Sequence, residues 1–535
     1  MINTSDLLIE IGTEELPPKA LSKLSAAFTD GIIEGLKKAG LKAASHIAYA
    51  SPRRLAIHLK DVPIAQADQT QERRGPALKA AYDADGNPTR AAQGFARGCG
   101  VDVSALEQRE TPKGTWLYFV KQVAGKQTKE LLAAIVQNSL DQLPIPKRMR
   151  WGSNKVEFVR PVHWLVMLSD SDIIEGTVLG MTSSNISYGH RFHHPEAVTI
   201  SSPADYADIL KNQGKVIANF AERRAMIEQQ VEQQAQQLQA NAVVDADLLD
   251  EVTGLVEWPV AVTGNFDVQF LNVPQEALIS AMQGHQKYFP IVDTDNNLMA
   301  HFITIANIES KDPSKISEGN ERVIRPRFSD AEFFWNQDRR QTLASRREAS
   351  KKIVFQQQLG SVFEKTERVA TLATFMAEQL GVNSNDAARA AQLSKCDLMT
   401  EMVYEFTSLQ GVMGRYYAQH DGERDAVANA LDEQYMPRYA GDQLPTGSIG
   451  QILAIADKID TLVGIFAIGQ KPTGTKDPFA LRRAALGVLR IMIECQLDLD
   501  LAELLQASAN SYAESVDCEA SHVATLSYIM ERLRA

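Results

Sequence analysis

The chain has 535 residues, 44% of them apolar and 23% charged, and its 67 Asp+Glu against 55 Lys+Arg leave a net charge of −12. That balance excludes a general polyanion binder, so any nucleic-acid contact must come from segregated basic patches. The four cysteines, Cys99, Cys396, Cys495 and Cys518, form no CxxC pair, which argues against a disulfide framework and a zinc knuckle.

The length predicts about three or four domains. MINTSDLLIEIGTEELPP lacks the basic start and long apolar run of a signal peptide. No window approaches the roughly 18 apolar residues of a membrane span. Unpaired cysteines suit a reducing cytoplasm. The expectation is a cytoplasmic, multi-domain chain with no membrane partner.

Residues 7–11, LLIEI, predict a buried strand, followed by a helix that runs to about Ala39 and stops at Gly40. The adjacent Glu14 and Glu15 suit a helix entrance, where carboxylates complement the dipole. Residues 54–59, RLAIHL, alternate with the period of a half-buried strand, and Arg53 and Arg54 stand at its entrance. Arg- and Ala-rich helical stretches flank the DADGNP turn within 73–100. WLYFV at 116–120 predicts a strand and 129–143 an amphipathic helix. Lys147, Arg148, Arg150, Trp151 and Arg160 then form a basic and aromatic cluster. The helix predicted over 221–240 has a thin apolar stripe (Ile227, Val231, Ala235, Leu238), which suits a projecting arm. PVAVTG at 259–264 and FITIAN at 302–307 restore strands.

The stretch 318–341 sets Arg322, Arg325, Arg327, Arg339 and Arg340 around Phe328, Phe333, Phe334 and Trp335. Guanidiniums contact phosphates and stack on rings, and aromatic faces hold unpaired bases. A loop leading into an amphipathic helix is the expected local structure. Past 345 nearly every segment reads as helix. The expected fold is therefore α+β followed by all-α. The α+β regions span 1–200 and 201–345, a helical domain spans 346–500, and 501–535 is the helical start of a further part.

No complete active site emerges. GHRFHHP at 189–195 places His190, His193 and His194 together, without the further ligands a zinc site needs. GQKPTGTKD at 469–477 misses the phosphate-loop order and follows a helix. Cys396-Asp397, with Asp457 and Asp460 on a later helix, resembles the metal positions of HD-type phosphohydrolases. A cysteine replaces the histidine of the pair, and no histidine occurs between His301 and His420. The expectation is an HD-like helical domain whose metal chemistry is lost, with Cys396 as core packing.

LLIEIGTEELPPKAL, SPRRLAI, LPIPKRMRWG, FVRPVHW, GHRF, HQKYFP, GNERVIRPRFSDAEFF, KCDLMTEMVYEF, LQGVMGRYYA, ADKIDTLVGIF and DPFALRRAALGVLR follow one another in order. Together they resemble the β subunit of bacterial heterotetrameric glycyl–tRNA synthetase. The resemblance implies an α2β2 ligase that attaches glycine to tRNA-Gly, with ATP, magnesium and adenylate chemistry on the α subunit. It implies a tRNA-binding and assembly role for this chain, which binds no cofactor or metal itself. Arg53 and Arg54 (in SPRR), Lys147 and Arg150 (in PKRMRW), and Arg322, Arg325 and Arg327 (in GNERVIRPR) become candidate tRNA contacts. Family members continue into a helical anticodon-binding domain, whereas this chain stops at YIMERLRA, so a short form is expected. The rival readings are a metal-dependent phosphohydrolase and a scaffold with no RNA contact.

Overall fold

Alternation along LLIEI builds the first sheet. The computed structural model describes residues 3–533 apart from Ala84, Asn154, Thr475, 513–515 and Ala520. Ala84 of the DADGNP turn, Thr475 of the phosphate-loop-like stretch and the last two residues therefore lie outside it. The strand β1 (Thr4–Thr13) is the centre of a five-stranded sheet with β2 (Ser45–Ser51), β3 (Arg54–Pro63), β4 (Val162–Ser169) and β5 (Asp172–Ile173), in the order β5-β4-β1-β3-β2. All four pairings are antiparallel.

Odd positions Leu7, Ile9 and Ile11 share a core with Phe28, Ile32 and Leu36 of α1 (Leu21–Lys38) and Leu132, Val136 and Leu140 of α2 (Thr128–Asp141). Leu8 joins Trp164, Val166 and Tyr206 in a separate core. Both faces of the sheet are thus covered, which the period-2 pattern alone does not reveal. Gly12 pairs with Trp164 across β1 and β4. A Cβ there would come 1.8 Å from the indole, so only glycine lets the ring lie against the strand.

WLYFV falls within Gly114–Val123, the middle strand of a three-stranded sheet with Gln69–Ala77 and Glu107–Thr111. Arg73 and Arg74 therefore belong to a strand, and the helices Leu78–Ala81 and Arg90–Cys99 come after them. The helix α3 (Phe220–Gln237) buries Ile227, Val231 and Ala235. Its Arg223 is also buried and donates to the carbonyls of Ala50 (2.8 Å) and Thr253 (3.1 Å). The thin stripe expected of a projecting arm is covered, because a buried cation with carbonyl acceptors widens the face that can be packed.

The chain divides into two compact units, Met1–Thr263 with Ile303–Ile316, and Gly264–Phe302 with Ser317–Ala535. The second is mostly helical. A loop was expected at the start of 318–341, but one helix, α4 (Pro313–Asp338), runs through it and through Pro326. Proline removes one intrahelical hydrogen bond. Burial of Ile324, Phe328, Ala331 and Trp335 along one side offsets that loss. Further on come α5 (Val362–Gln379), α6 (Ser384–Leu393), α7 (Ser448–Ala467) and α8 (Leu481–Glu494). Ser361 and Glu364 close a reciprocal capping box at the start of α5. Most of α7 is buried, and it packs against α5, α6 and α8. The observed class is mixed α/β in more than one unit. Among the described residues no helix is long and apolar enough to cross a membrane.

Candidate functional site

In the first unit the structure separates the two arginines of SPRR. Arg54 is 0% exposed. Its Nε donates to Ser51 Oγ (3.0 Å) and its Nη2 to the Tyr188 carbonyl (2.8 Å). Glu257 (3.5 Å) and Glu10 (3.7 Å) supply two opposing charges. Burial pulls the guanidinium down, and the two carboxylates overcome it and hold its pKa above the ordinary value. Glu10 also accepts from Trp164, Tyr206 and Ser187. Arg54 is therefore an internal ion-pair centre and not the phosphate contact that its sequence neighbourhood implied. Arg53, next to it, is half-exposed, sits 5.5 Å from the centre of the Trp164 ring and donates to the Gly189 carbonyl (3.4 Å).

Lys147 and Arg150 are both exposed, the latter in the short strand Met149–Arg150 and paired with Glu157 (2.5 Å). Two histidines of GHRFHHP, His190 and His193, are occupied by backbone, and His194 lies 3.7 Å from Glu196. His190 Nε2 lies 2.7 Å from the Asn307 carbonyl, while its Nδ1 accepts from the amides of Phe192 and His193 (both 3.2 Å). His193 Nε2 accepts from the Glu309 amide (2.9 Å). Both imidazoles thus hold lone pairs engaged by protein N–H groups. Among the described residues no three His, Cys, Asp or Glu side chains gather as a metal would require.

In the second unit, helical spacing sorts the residues of α4. At about 100° per residue, Arg322, Arg325, Ser329 and Phe333 fall on one exposed face, opposite the buried Ile324, Phe328 and Trp335. Phe333 is 61% exposed, an unusual amount for a phenyl ring. Arg325 is ion-paired with Asp267, and Arg322 has no ion pair among the described residues. Arg327 is exposed as well, but lies on a different flank of the helix. The sequence cluster becomes one aligned stripe of two guanidiniums and a ring, with the third guanidinium set apart.

The carboxylates of the HD-like reading also lie in the second unit. Asp457 and Asp460, at i and i+3 on α7, meet Lys365 and Arg368, at i and i+3 on α5. Lys365 Nζ lies 3.4 Å from Asp457 and 3.0 Å from Asp460, and Arg368 Nε lies 2.7 Å from Asp460. Lys395, just before Cys396, is a second cation 3.4 Å from Asp457. Burial raises Asp457, but Lys365, Lys395 and Lys458 overcome it and hold the group far below the usual carboxylate range. Asp397 accepts from the amides of Gly411 (2.5 Å) and Gly414 (3.2 Å), and burial pushes its pKa up to about 6. Cys396 is buried with its Sγ 3.6 Å from the Gln392 carbonyl, and burial pushes the thiol up to about 12. It is a packed, unreactive thiol.

These donors do not fit a divalent metal, since ammonium and guanidinium groups already occupy the positions a cation would take. Sequence reading found the carboxylates and missed Lys365, Arg368, Lys395 and Lys458. The available signal was local: Lys395 precedes Cys396-Asp397, and Lys458 follows Asp457.

The family described as glycyl-tRNA synthetase beta subunit matches residues 7–535. The chain is 54% identical over 534 residues to the glycine--tRNA ligase beta subunit of Hahella chejuensis, covering 100% of this chain and 77% of that protein. It is 52% identical over 532 residues to that of Chromohalobacter salexigens, covering 99% of this chain and 77% of the relative. It is also 52% identical over 534 residues to that of Pseudomonas aeruginosa, with 100% and 77% covered. Likeness of this degree along the whole chain matches the ordered motifs, and it places the chain in the glycyl-tRNA synthetase beta subunit family, as a subunit of an aminoacyl-tRNA ligase.

Proposed function

We propose that this chain holds tRNA-Gly for a partner α subunit in an α2β2 assembly of the cytoplasm, through the stripe Arg322, Arg325 and Phe333 on α4. The observation that carries this reading is the alignment of two exposed guanidiniums and an exposed ring on one helical face. Guanidiniums grip phosphates and the ring offers a stacking surface for an unpaired base. Arg53, Lys147 and Arg150 of the first unit are further phosphate contacts in this reading. ATP and magnesium act on the α subunit, and this chain contributes position, turning a two-body encounter into an oriented complex. The helical region 346–500 within the second unit is a divergent HD-like domain in which lysines have replaced the metal. That replacement speaks against the phosphohydrolase alternative.

A filter-binding titration over a salt series tests the stripe. Arg322→Ala with Arg325→Ala should weaken tRNA binding and flatten the dependence of log K on log salt by about 1–2, the loss of one or two phosphate contacts. Unchanged affinity and slope would remove the stripe from RNA binding and favour a scaffold without RNA contact. Glycine-dependent ATP–pyrophosphate exchange, run on this chain, the α subunit and their mixture, tests the division of labour. The reading expects no exchange from this chain alone.

A further inference from the structure

The second unit contains a cavity of about 370 Å³, lined among others by Tyr435, Arg438, Asp457, Lys458, Phe479 and Arg483. That volume suits a small molecule of nucleotide size. Its charge is unbalanced. Three cations (Arg438, Lys458 and Arg483) line it against a single carboxylate, Asp457, and Asp432 pairs with Arg438 from outside the lining. Asp457 is the one carboxylate in the lining, and Lys365 and Lys395 neutralise it from behind.

Lys458 Nζ donates to the carbonyls of Met436 (2.8 Å), Gln434 (3.1 Å) and Ala454 (3.3 Å), and forms no ion pair among the described residues. A buried ammonium hydrogen-bonded by carbonyls alone has only the field of the neighbouring Asp457 to offset its burial, at a cost in folding free energy. Burial accordingly pulls Lys458 down to about 8. Arg483, exposed at the cavity, has one side-chain hydrogen bond among the described residues, Nη1 to the Arg438 carbonyl (2.7 Å), which leaves most of its donors open. Arg438 pairs with Asp432 through Nη2 (2.6 Å) and keeps its other donors. The Tyr435 hydroxyl is out of solvent with no hydrogen-bond partner among the described residues. An unpartnered buried donor at a cavity that also offers open guanidinium donors needs an acceptor that the described residues do not provide.

We propose that this cavity binds a nucleoside monophosphate, with the phosphate dianion on Arg483, Arg438 and the Tyr435 hydroxyl and the base against Phe479. The site binds without hydrolysing, because its carboxylates face lysines in place of a metal. The anion meets the open donors of Arg483 and Arg438 and supplies the acceptor that Tyr435 lacks. A phosphodiester of RNA offers similar oxygens but only one negative charge, and one more nucleoside than the cavity holds.

Isothermal titration of the whole chain in EDTA, with AMP, GMP, adenosine and the dinucleoside phosphate ApA, separates these sources. At least one monophosphate should bind and be recovered intact. Adenosine and ApA should bind about ten-fold more weakly or not at all, as expected for the loss of a charge-assisted contact. Arg483→Glu, at an exposed position, should weaken the monophosphate about ten-fold or more by reversing a contacting charge. Tyr435→Phe keeps the ring and removes only the hydroxyl, and should weaken it less. Thermal melts of both variants check that the fold is kept. The proposal is overturned by no binding of either monophosphate at millimolar concentration, by equal binding of adenosine, or by tighter binding of ApA. Hydrolysis of the nucleotide, or an Arg483→Glu variant that binds normally while folded, overturns it too.

Discussion

Arg53-Arg54 and Arg322-Arg325 look alike in sequence, as close guanidiniums near aromatic residues, yet they have opposite environments. Arg54 is enclosed between Glu10 and Glu257 on one face of a sheet covered on both sides. Arg322 and Arg325 stand on the outer face of a helix whose inner face is buried. The difference lies in what surrounds each residue in three dimensions. A buried charge must have its counter-charges built into the fold, whereas an exposed one is left available to a ligand. Mutation should therefore affect stability at Arg54 and RNA affinity at Arg322 and Arg325.

The largest effect is expected at Arg54. Arg54→Ala leaves two buried carboxylates facing each other and should lower unfolding free energy by about 3–5 kcal/mol, measured by urea denaturation. Any fall in tRNA affinity should then track the unfolded fraction. A loss below about 1 kcal/mol would show that water reaches Glu10 and Glu257, and the contrast between the two pairs would collapse.

Asp397 sharpens the contrast from the acidic side. Its pKa is raised from 3.8 to about 6, so the folded chain holds this proton more tightly than the unfolded chain. The group therefore favours folding at low pH, and that contribution is lost as pH rises from about 4 to about 6. The swing is about 3 kcal/mol, from about 1.4 kcal/mol per unit. Asp397→Asn keeps an oxygen for the Gly411 and Gly414 amides and should flatten the urea midpoint across that window. If the pH profiles of variant and parent coincide, the carboxyl is ionised in the fold and the burial argument fails.

How much of this was legible in the sequence depended on period and on distance along the chain. The strand at 7–11, the helix at 129–143 and the helices after 345 carry their pattern locally, and they appear within or close to the expected limits. Arg54 was misread because its partners, Glu10 and Glu257, lie far away in sequence and no local pattern announces them. The helix through Pro326 was missed because proline is a strong local stop, overridden here by the burial of Phe328 and Trp335. Asp457 and Asp460 were found as carboxylates, but their meaning lies in Lys365 and Arg368, roughly 90 residues earlier. Periodicity exposes faces, whereas charge pairing is a property of the folded chain.

Arg322→Ala combined with Arg325→Ala should leave stability within about 0.5 kcal/mol, as usual for surface positions, while tRNA affinity and its salt slope fall. Equal losses of stability and affinity would mean that the stripe braces the helix instead of meeting RNA.

The smallest effect is expected at Arg327. It shares the sequence motif with Arg322 and Arg325, so a reading by motif alone gives all three the same weight. On α4 it is rotated by about 140° from Arg322, beyond the reach of a phosphate seated on the stripe. Arg327→Ala should thus change tRNA affinity by less than about two-fold and shift the salt slope by well under 1, against the clear fall in the double variant. If Arg327→Ala matches Arg322→Ala instead, the RNA wraps the flank of the helix, and the relevant unit is the whole basic turn around Pro326. The two outcomes differ in which residues act together, and a double-mutant cycle between Arg322 and Arg327 measures that coupling directly.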